Sequence, residues 1–366
     1  MKIVFSSYVH SGGFHEPQAW LRRTNAYGGI LEALARQHKV ISIEQIDYEG
    51  QMINNGVDYR FKYCSANSLR FFPWQLHQYI KHLEPDVVVI HGLHFSLQLI
   101  QLRLVLGPGV KIIVQNHAEK PFTGWKKILQ QLADRCINAY LFASRNMGLE
   151  WVIAGNLASG KKIHEVMEVS SVFYPIENTE ARRRTGVNGE QVFLWVGRLN
   201  ANKDPLTVIN SFLKYLQINP QARLYMIYAT DELLPEIKAL LADSPCRENI
   251  LLVGKVPHAE LLYWFNSADF ILSGSHYEGS GTSVCEAMSC GCVPIVTNIL
   301  SFRMITNNGN CGILYKAGNK DALLAALGET VNMDMGAQRQ SSLNYFKANL
   351  SFEAIAGKIA YIASSL

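Results

Sequence analysis

Residues 276–296 read HYEGSGTSVCEAMSCGCVPIV, and they sit between two apolar runs, 270–272 and 293–296, that read as buried strands. The segment between them predicts a glycine-rich turn and then a helix to about Cys290. Gly279 and Gly281 let the backbone turn sharply and approach a ligand where a side chain would block it. Ser283, three residues ahead of Glu286, has the spacing of a capping box, and Gly291 is the residue type suited to a left-handed C-cap. The unit is strand, loop, helix, strand. In an open parallel sheet, ligands bind at the carboxyl ends of strands, and a helix N-terminus offers free N–H groups to an anion. By spacing alone, a capping role for Glu286 and a solvated loop position for Glu278 are the more ordinary readings.

The same cycle recurs outward in both directions. Residues 2–6 form a first apolar strand, followed by the loop Ser11-Gly12-Gly13 and, from Pro17, a helix whose apolar face includes Trp20, Ile30, Leu31 and Leu34. Gly28-Gly29 weakens the middle of that helix, since each glycine costs about 1 kcal/mol relative to alanine. A strand over 38–43 follows, then a polar and aromatic tract, 47–70, with no clean period, which reads as an irregular insertion. A helix over 73–83 leads to the strand 87–90, ending in His91-Gly92-Leu93-His94, and a further strand, 111–114, ends in Gln115-Asn116-His117. Imidazoles at the ends of two parallel strands point towards one crevice. The charged stretch 177–190 has no apolar period and reads as a connection between domains. A second series then begins with the strand 192–196, the turn Gly197-Arg198, and a helix opened by Asp204 as N-cap and Pro205 at its first position. Strands over 223–229 and 250–253 precede the central unit, and a last apolar periodic segment covers 352–362.

A length of 366 residues with 48% apolar content predicts two domains with sizeable cores. The net charge of +4 is unevenly spread: residues 1–185 carry 21 Lys and Arg against 15 Asp and Glu, and the remainder 13 against 15. A basic first half is compatible with an anionic acceptor or membrane surface. No motif for reading nucleic acid occurs. The N-terminal stretch lacks the apolar core of a signal peptide, and no run approaches the roughly 18 apolar residues of a membrane span, so the expected location is the cytoplasm. Seven cysteines, an odd count, argue against a disulfide framework. Cys285, Cys290, Cys292 and Cys311 lack zinc-knuckle spacing and stand in apolar surroundings, so no metal site is expected.

With these residues in view, the stretch 276–296 resembles the Glu-x7-Glu signature of the retaining nucleotide-sugar glycosyltransferases of family 4, the group 1 glycosyl transferases. GRLNANKDP, 197–205, is similar to that family's Gly-Arg-Leu-x3-Lys signature, and the first half resembles its glycine loop and histidine-ending strands. The resemblance implies an α/β fold of the GT-B type: two Rossmann-like domains with parallel sheets facing a central cleft, and a C-terminal helix crossing back to the first. The implied boundaries are an acceptor-side domain over 1–177, a connection over 178–190, a donor domain over 191–345 and the terminal helix over 346–366. It also implies that Glu286 holds the donor ribose and that Glu278 and His117 face the transferred sugar. Arg198 and Lys203 would bind the diphosphate, as fork and point charge. Gly12 and Gly13, with the backbone of Gly279, Ser280, Gly281, Thr282 and Ser283, would lie against the diphosphate and sugar. The chain departs from the family at Gln115-Asn116, at Glu168-Val169-Ser170 and at Leu300-Ser301-Phe302-Arg303.

The function so implied is retaining transfer of a sugar from a UDP- or GDP-linked donor to a glycan or lipid-linked acceptor, as in cell-surface polysaccharide synthesis. No separate cofactor is expected. The chain contains no Asp-x-Asp pair, the usual carboxylate holder of a divalent cation on a diphosphate, so transfer without metal is expected. Trp125, Lys126 and Lys127 are the expected contact with an anionic membrane at its inner face. Rival readings are an epimerase or phosphorylase on the same fold, or a non-enzymatic sugar-binding protein.

Overall fold

The computed structural model describes residues 1–242 and 244–366. They form two compact units, one of Met1–Ser170 with Phe352–Leu366 and one of Ser171–Ser351. The first unit is built on β1 (Lys2–Ser7), β2 (Lys39–Glu44), β3 (Gly50–Asn54), β4 (Val57–Phe61), β5 (Val87–His91), β6 (Lys111–Gln115), β7 (Ala139–Phe142) and β8 (Ile163–Glu165). Their order is β3-β4-β2-β1-β5-β6-β7-β8, parallel throughout except that β3 runs against β4. Val87–Ile90 and Ile112–Val114 are wholly buried, as strands covered by helices on both faces must be. Ser7 is level with His91, and His91 with Gln115, so three strand ends open on one edge.

The second unit has β9 (Gln191–Gly197), β10 (Ala222–Tyr228), β11 (Ile250–Gly254), β12 (Phe270–Ser273), β13 (Val293–Thr297) and β14 (Ile313–Tyr315). They are ordered β11-β10-β9-β12-β13-β14 and are all parallel. Phe193 of β9 stacks on Phe270 of β12 at 4.8 Å, with Phe212 and Tyr215 of the helix Pro205–Tyr215 edge-on to Phe193. Asp204 caps that helix, accepting from the Thr207 N–H at 3.2 Å, with Pro205 at its first position.

Several local expectations are corrected. The tract 47–70 is ordered: Val57, Tyr59 and Phe61 are buried in alternation, and the turn between β3 and β4 is Asn55-Gly56, both with positive φ, the pair that favours a tight hairpin. The polar, exposed β3 masked the period. The stretch 178–190 contains the helix Asn178–Thr185, held by polar groups in place of an apolar stripe. Thr185 Oγ1 meets Ser267 Oγ at 2.9 Å, and Arg182 donates to Ser267 O at 3.1 Å. The helix begun at Pro17 breaks at Thr24 and resumes as Asn25–Ala35, so the glycines lie inside an intact segment. A Cβ on Gly29 would stand 2.7 Å from the Phe352 ring, where the helix Phe352–Ser365 packs. Leu300–Ile305, where the chain leaves the family pattern, is a helix.

Candidate active site

In the second sheet the chain runs outward from β9 to β11 and returns to lay β12 on the other side of β9. The loops leaving β9 and β12 therefore part company, and the crevice between them is the place where such sheets bind ligands. Here the two loops are fastened together. The His276 N–H donates to Asn202 O at 2.8 Å, Asn202 Nδ2 to Tyr277 O at 3.0 Å, and His276 Nε2 lies 3.2 Å from Asp204 Oδ2. Gly274 permits this approach, because a Cβ there would stand 2.9 Å from Asp204 O. The result brings Lys203 onto Glu278, whose carboxylate accepts from its ammonium in a largely buried pair. Arg198, from the same loop, is exposed.

Beyond Glu278 the chain passes through Gly279 and Ser280 to Gly281, whose φ of +59° starts the helix Thr282–Ser289. A Cβ at Gly281 would lie 2.6 Å from the Phe302 ring. No side chain caps this helix, so Ser283 is not the capping residue that its spacing predicted; it lies inside the first turn. The unsatisfied N–H groups of such an end suit an anion. Glu286 is consequently no capping partner. It is buried, and its Oε1 lies 2.7 Å from His258 Nε2. Gly291 does close the segment with a φ of +87°.

The first unit gathers a different set. Gly13 has a φ of +85°, and its N–H donates to Asp47 Oδ2 at 2.6 Å, while His10 Nε2 lies 2.8 Å from Asp47 Oδ1. These two bonds hold the glycine loop and keep the Asp47 carboxyl below its usual range, the Gly13 N–H being the larger cause. His91 and His117 meet as their strand positions predict, Nδ1 to Nε2 at 2.9 Å. The contact continues at both ends: Tyr27 Oη is 2.6 Å from His91 Nε2, and His117 Nδ1 pairs with Glu168. Glu119, buried, accepts from the N–H groups of Leu93 at 2.8 Å and His117 at 2.6 Å, fixing the loop after β6. His94, by contrast, points outward, 3.9 Å from Glu119.

Burial and the neighbouring His117 push His91 well below the ordinary imidazole range, so it stays neutral. Burial also opposes protonation of His117, but the hydrogen bond and charge of Glu168, with Glu119 behind, outweigh it and raise its pKa. With a carboxylate on His117 Nδ1, the proton on that nitrogen is fixed; in the neutral ring Nε2 accepts from His91 and Tyr27 donates to His91, whereas in the protonated ring Nε2 donates to His91, whose other N–H then donates to the Tyr27 oxygen. Glu168→Gln removes the charge and is expected to lower the His117 pKa relative to the parent. A histidine NMR titration showing no downward movement would remove Glu168 from this role.

His258, Glu168, Tyr27, Asn202 and Gly274 were not singled out from sequence. Glu168 lies where the chain leaves the family pattern, which was the one available signal. The others carry no local signature, being paired across 28 to 75 residues.

Two Rossmann-like α/β units with parallel sheets in one chain constitute the GT-B fold of glycosyltransferases, and solved structures agree over the full length. A glycosyltransferase from Rickettsia africae has a TM-score of 0.75 at 14% identity, covering 99% of this chain and 98% of its own. Anabaena HepE in complex with UDP has a TM-score of 0.75 at 13% identity, covering all of both chains.

Residues 177–345, within the second unit, match the family described as glycosyl transferases group 1. Among curated relatives the chain is 23% identical to the GDP-mannose:cellobiosyl-diphosphopolyprenol alpha-mannosyltransferase of Xanthomonas campestris, over 71% of this chain and 69% of that one. It is likewise 23% identical to the lipopolysaccharide core biosynthesis mannosyltransferase LpsB of Rhizobium meliloti, over 74% and 76%.

Proposed function

We propose that this glycosyltransferase moves a sugar from a nucleoside diphosphate, UDP or GDP, to a glycan or lipid-linked acceptor, with retention and without a bound divalent cation. The observation that supports the donor site is the fastened pair of loops after β9 and β12, which sets Lys203 against Glu278 beside the uncapped start of the helix Thr282–Ser289. Departure of the diphosphate breaks the bond from the anomeric carbon to the phosphate oxygen, and the electron pair leaves with that oxygen. Arg198, Lys203 and the N–H groups around Gly281 to Ser283 offset the growing charge. The acceptor hydroxyl forms its bond on the face the diphosphate leaves and passes its proton to a departing phosphate oxygen. Glu278 and His117 orient the sugar, and buried Glu286 receives the ribose hydroxyls alongside His258. Gly12 and Gly13, tied to Asp47, are the first unit's own candidates for a diphosphate contact. Acceptors of the lipid-linked class are supported by the name of the Xanthomonas relative, which acts on a diphosphopolyprenol.

The test runs donor and acceptor in excess EDTA and assigns the product anomer by NMR coupling constants. Undiminished turnover and a retained configuration are expected. Activity lost in EDTA and restored by Mn²⁺ would end the cation-free reading, and an inverted anomer would end retention.

A further inference from the structure

The helix Gly124–Asp134, GWKKILQQLAD, is amphipathic in the wrong sense for a helix that packs on a sheet. Its buried residues are Gln130, Ala133 and Asp134, and the polar ones are engaged in a closed network. Ser96 Oγ donates to Gln130 Oε1 at 2.7 Å, the Tyr140 hydroxyl to Asp134 Oδ1 at 3.0 Å, and the Ala158 N–H to Asp134 Oδ2 at 3.1 Å. Three of its large apolar residues face outward, Trp125 69% exposed, Ile128 62% and Leu132 47%, with Leu129 half-buried beside them. The spacing 125, 128, 132 is that of a single stripe along a helix. Ile153, 87% exposed, ends the next helix, whose closing turn lies against this one, since Gln131 Nε2 donates to Gly155 O at 2.7 Å. An exposed apolar stripe bordered by polar groups is a mark of an interaction site.

We infer that this face docks on an anionic lipid bilayer, with the apolar stripe in the headgroup region and the lysines on the lipid phosphates. The charge pattern decides the occupant. Lys126, Lys127 and Arg135 border the stripe, and Asp134, the one carboxylate within the helix, is buried. Two copies laid face to face would oppose these cations, whereas an anionic surface attracts them. Trp125 stands at the helix start beside both lysines, an arrangement suited to the bilayer boundary. The helix follows β6, the strand that leads to His117, so it begins at the carboxyl edge of the first sheet. Docking there holds that edge close to the lipid surface, where the head of a lipid-linked acceptor is presented. The inference rests on the lipid-linked acceptor reading.

Co-sedimentation of the full chain with phosphatidylglycerol–phosphatidylcholine vesicles, against phosphatidylcholine alone, tests it. Binding to the anionic vesicles is expected to exceed that to neutral ones at least about ten-fold and to fall with salt. Lys126→Ala/Lys127→Ala is expected to weaken it about five-fold per lysine removed, and Ile128→Glu/Leu132→Glu to abolish it. These surface substitutions are expected to leave the melting temperature and turnover of a water-soluble acceptor unchanged; a failure of turnover in the parent protein would count against the transferase reading and not against docking. Equal binding to both vesicle types, or full binding by Ile128→Glu/Leu132→Glu, overturns the inference. So does a concentration-dependent dimer dissolved by the same two substitutions, which would assign the face to a second copy.

Discussion

Lys203→Ala is expected to lower kcat/KM about 10²- to 10³-fold, the usual cost of deleting one preorganised donor to a developing negative charge. The effect has two sources that can be separated. Lys203 supplies a charge to the leaving diphosphate, and it also neutralises Glu278, whose largely buried carboxylate it holds. Removing one member of such a pair leaves an uncompensated charge, which destabilises by about 3–5 kcal/mol when burial is complete and by less here. Lys203→Ala should therefore also melt earlier. In Lys203→Ala/Glu278→Gln that charge is gone, so thermal stability should partly return while activity does not. Wild-type kcat/KM in Lys203→Ala would reduce Lys203 to a structural partner of Glu278 and remove it from the donor site.

Acidification is expected to destabilise the first unit through His77. This residue, in the helix Trp74–His82, is buried, with its Nε2 2.9 Å from the Tyr8 hydroxyl, and burial lowers its pKa to about 4. Above pH 6.5 the imidazole is neutral in both folded and unfolded chains and contributes no pH dependence. Between 6.5 and about 4 the unfolded chain takes up a proton that the folded chain refuses, so stability is lost as pH falls. The loss levels off below about 4 at roughly 3 kcal/mol, from the separation of about two and a half pH units between the two states. His91, held neutral by burial and by His117, acts in the same direction. His77→Gln keeps an acceptor for Tyr8 and cannot protonate. Whatever it costs at pH 7, the difference between parent and variant in denaturant unfolding should shrink towards pH 4 by about that amount. A difference that does not change with pH would mean that His77 titrates normally.

The alternating series of apolar strands and glycine-ended loops made the two sheets legible, because strands covered on both faces must be apolar throughout. The fold is thus carried by local pattern. The pairing of Lys203 with Glu278 is not local, and neither is that of Glu286 with His258. Each joins segments whose contact is set by strand order, which a linear reading does not contain. The capping-box spacing of Ser283 and Glu286 misled for a physical reason: Gly281, admitted only because Phe302 leaves no room for a Cβ, takes the cap position and moves the helix start. The helix Asn178–Thr185 and the hairpin at Asn55-Gly56 escaped because one lacks an apolar stripe and the other has a polar outer strand. In the sequence only Trp125, Lys126 and Lys127 stand out, by charge and tryptophan; that the polar side of their helix faces inward is seen only in the hydrogen bonds of Gln130 and Asp134.

The close fit of Phe352 over Gly29 has a consequence for how the molecule is made. Residues 352–366 finish the first unit, yet they leave the ribosome after everything in the second. The second unit is one uninterrupted length of chain and can close as it emerges. The first must wait with the outer side of the helix Asn25–Ala35 uncovered while 181 further residues, 171–351, are synthesised, a period of roughly 10 to 40 s at ordinary elongation rates. During that interval its first 170 residues form an unfinished body, a natural client for a chaperone, and a shortened chain that stops before Phe352 would never leave that state.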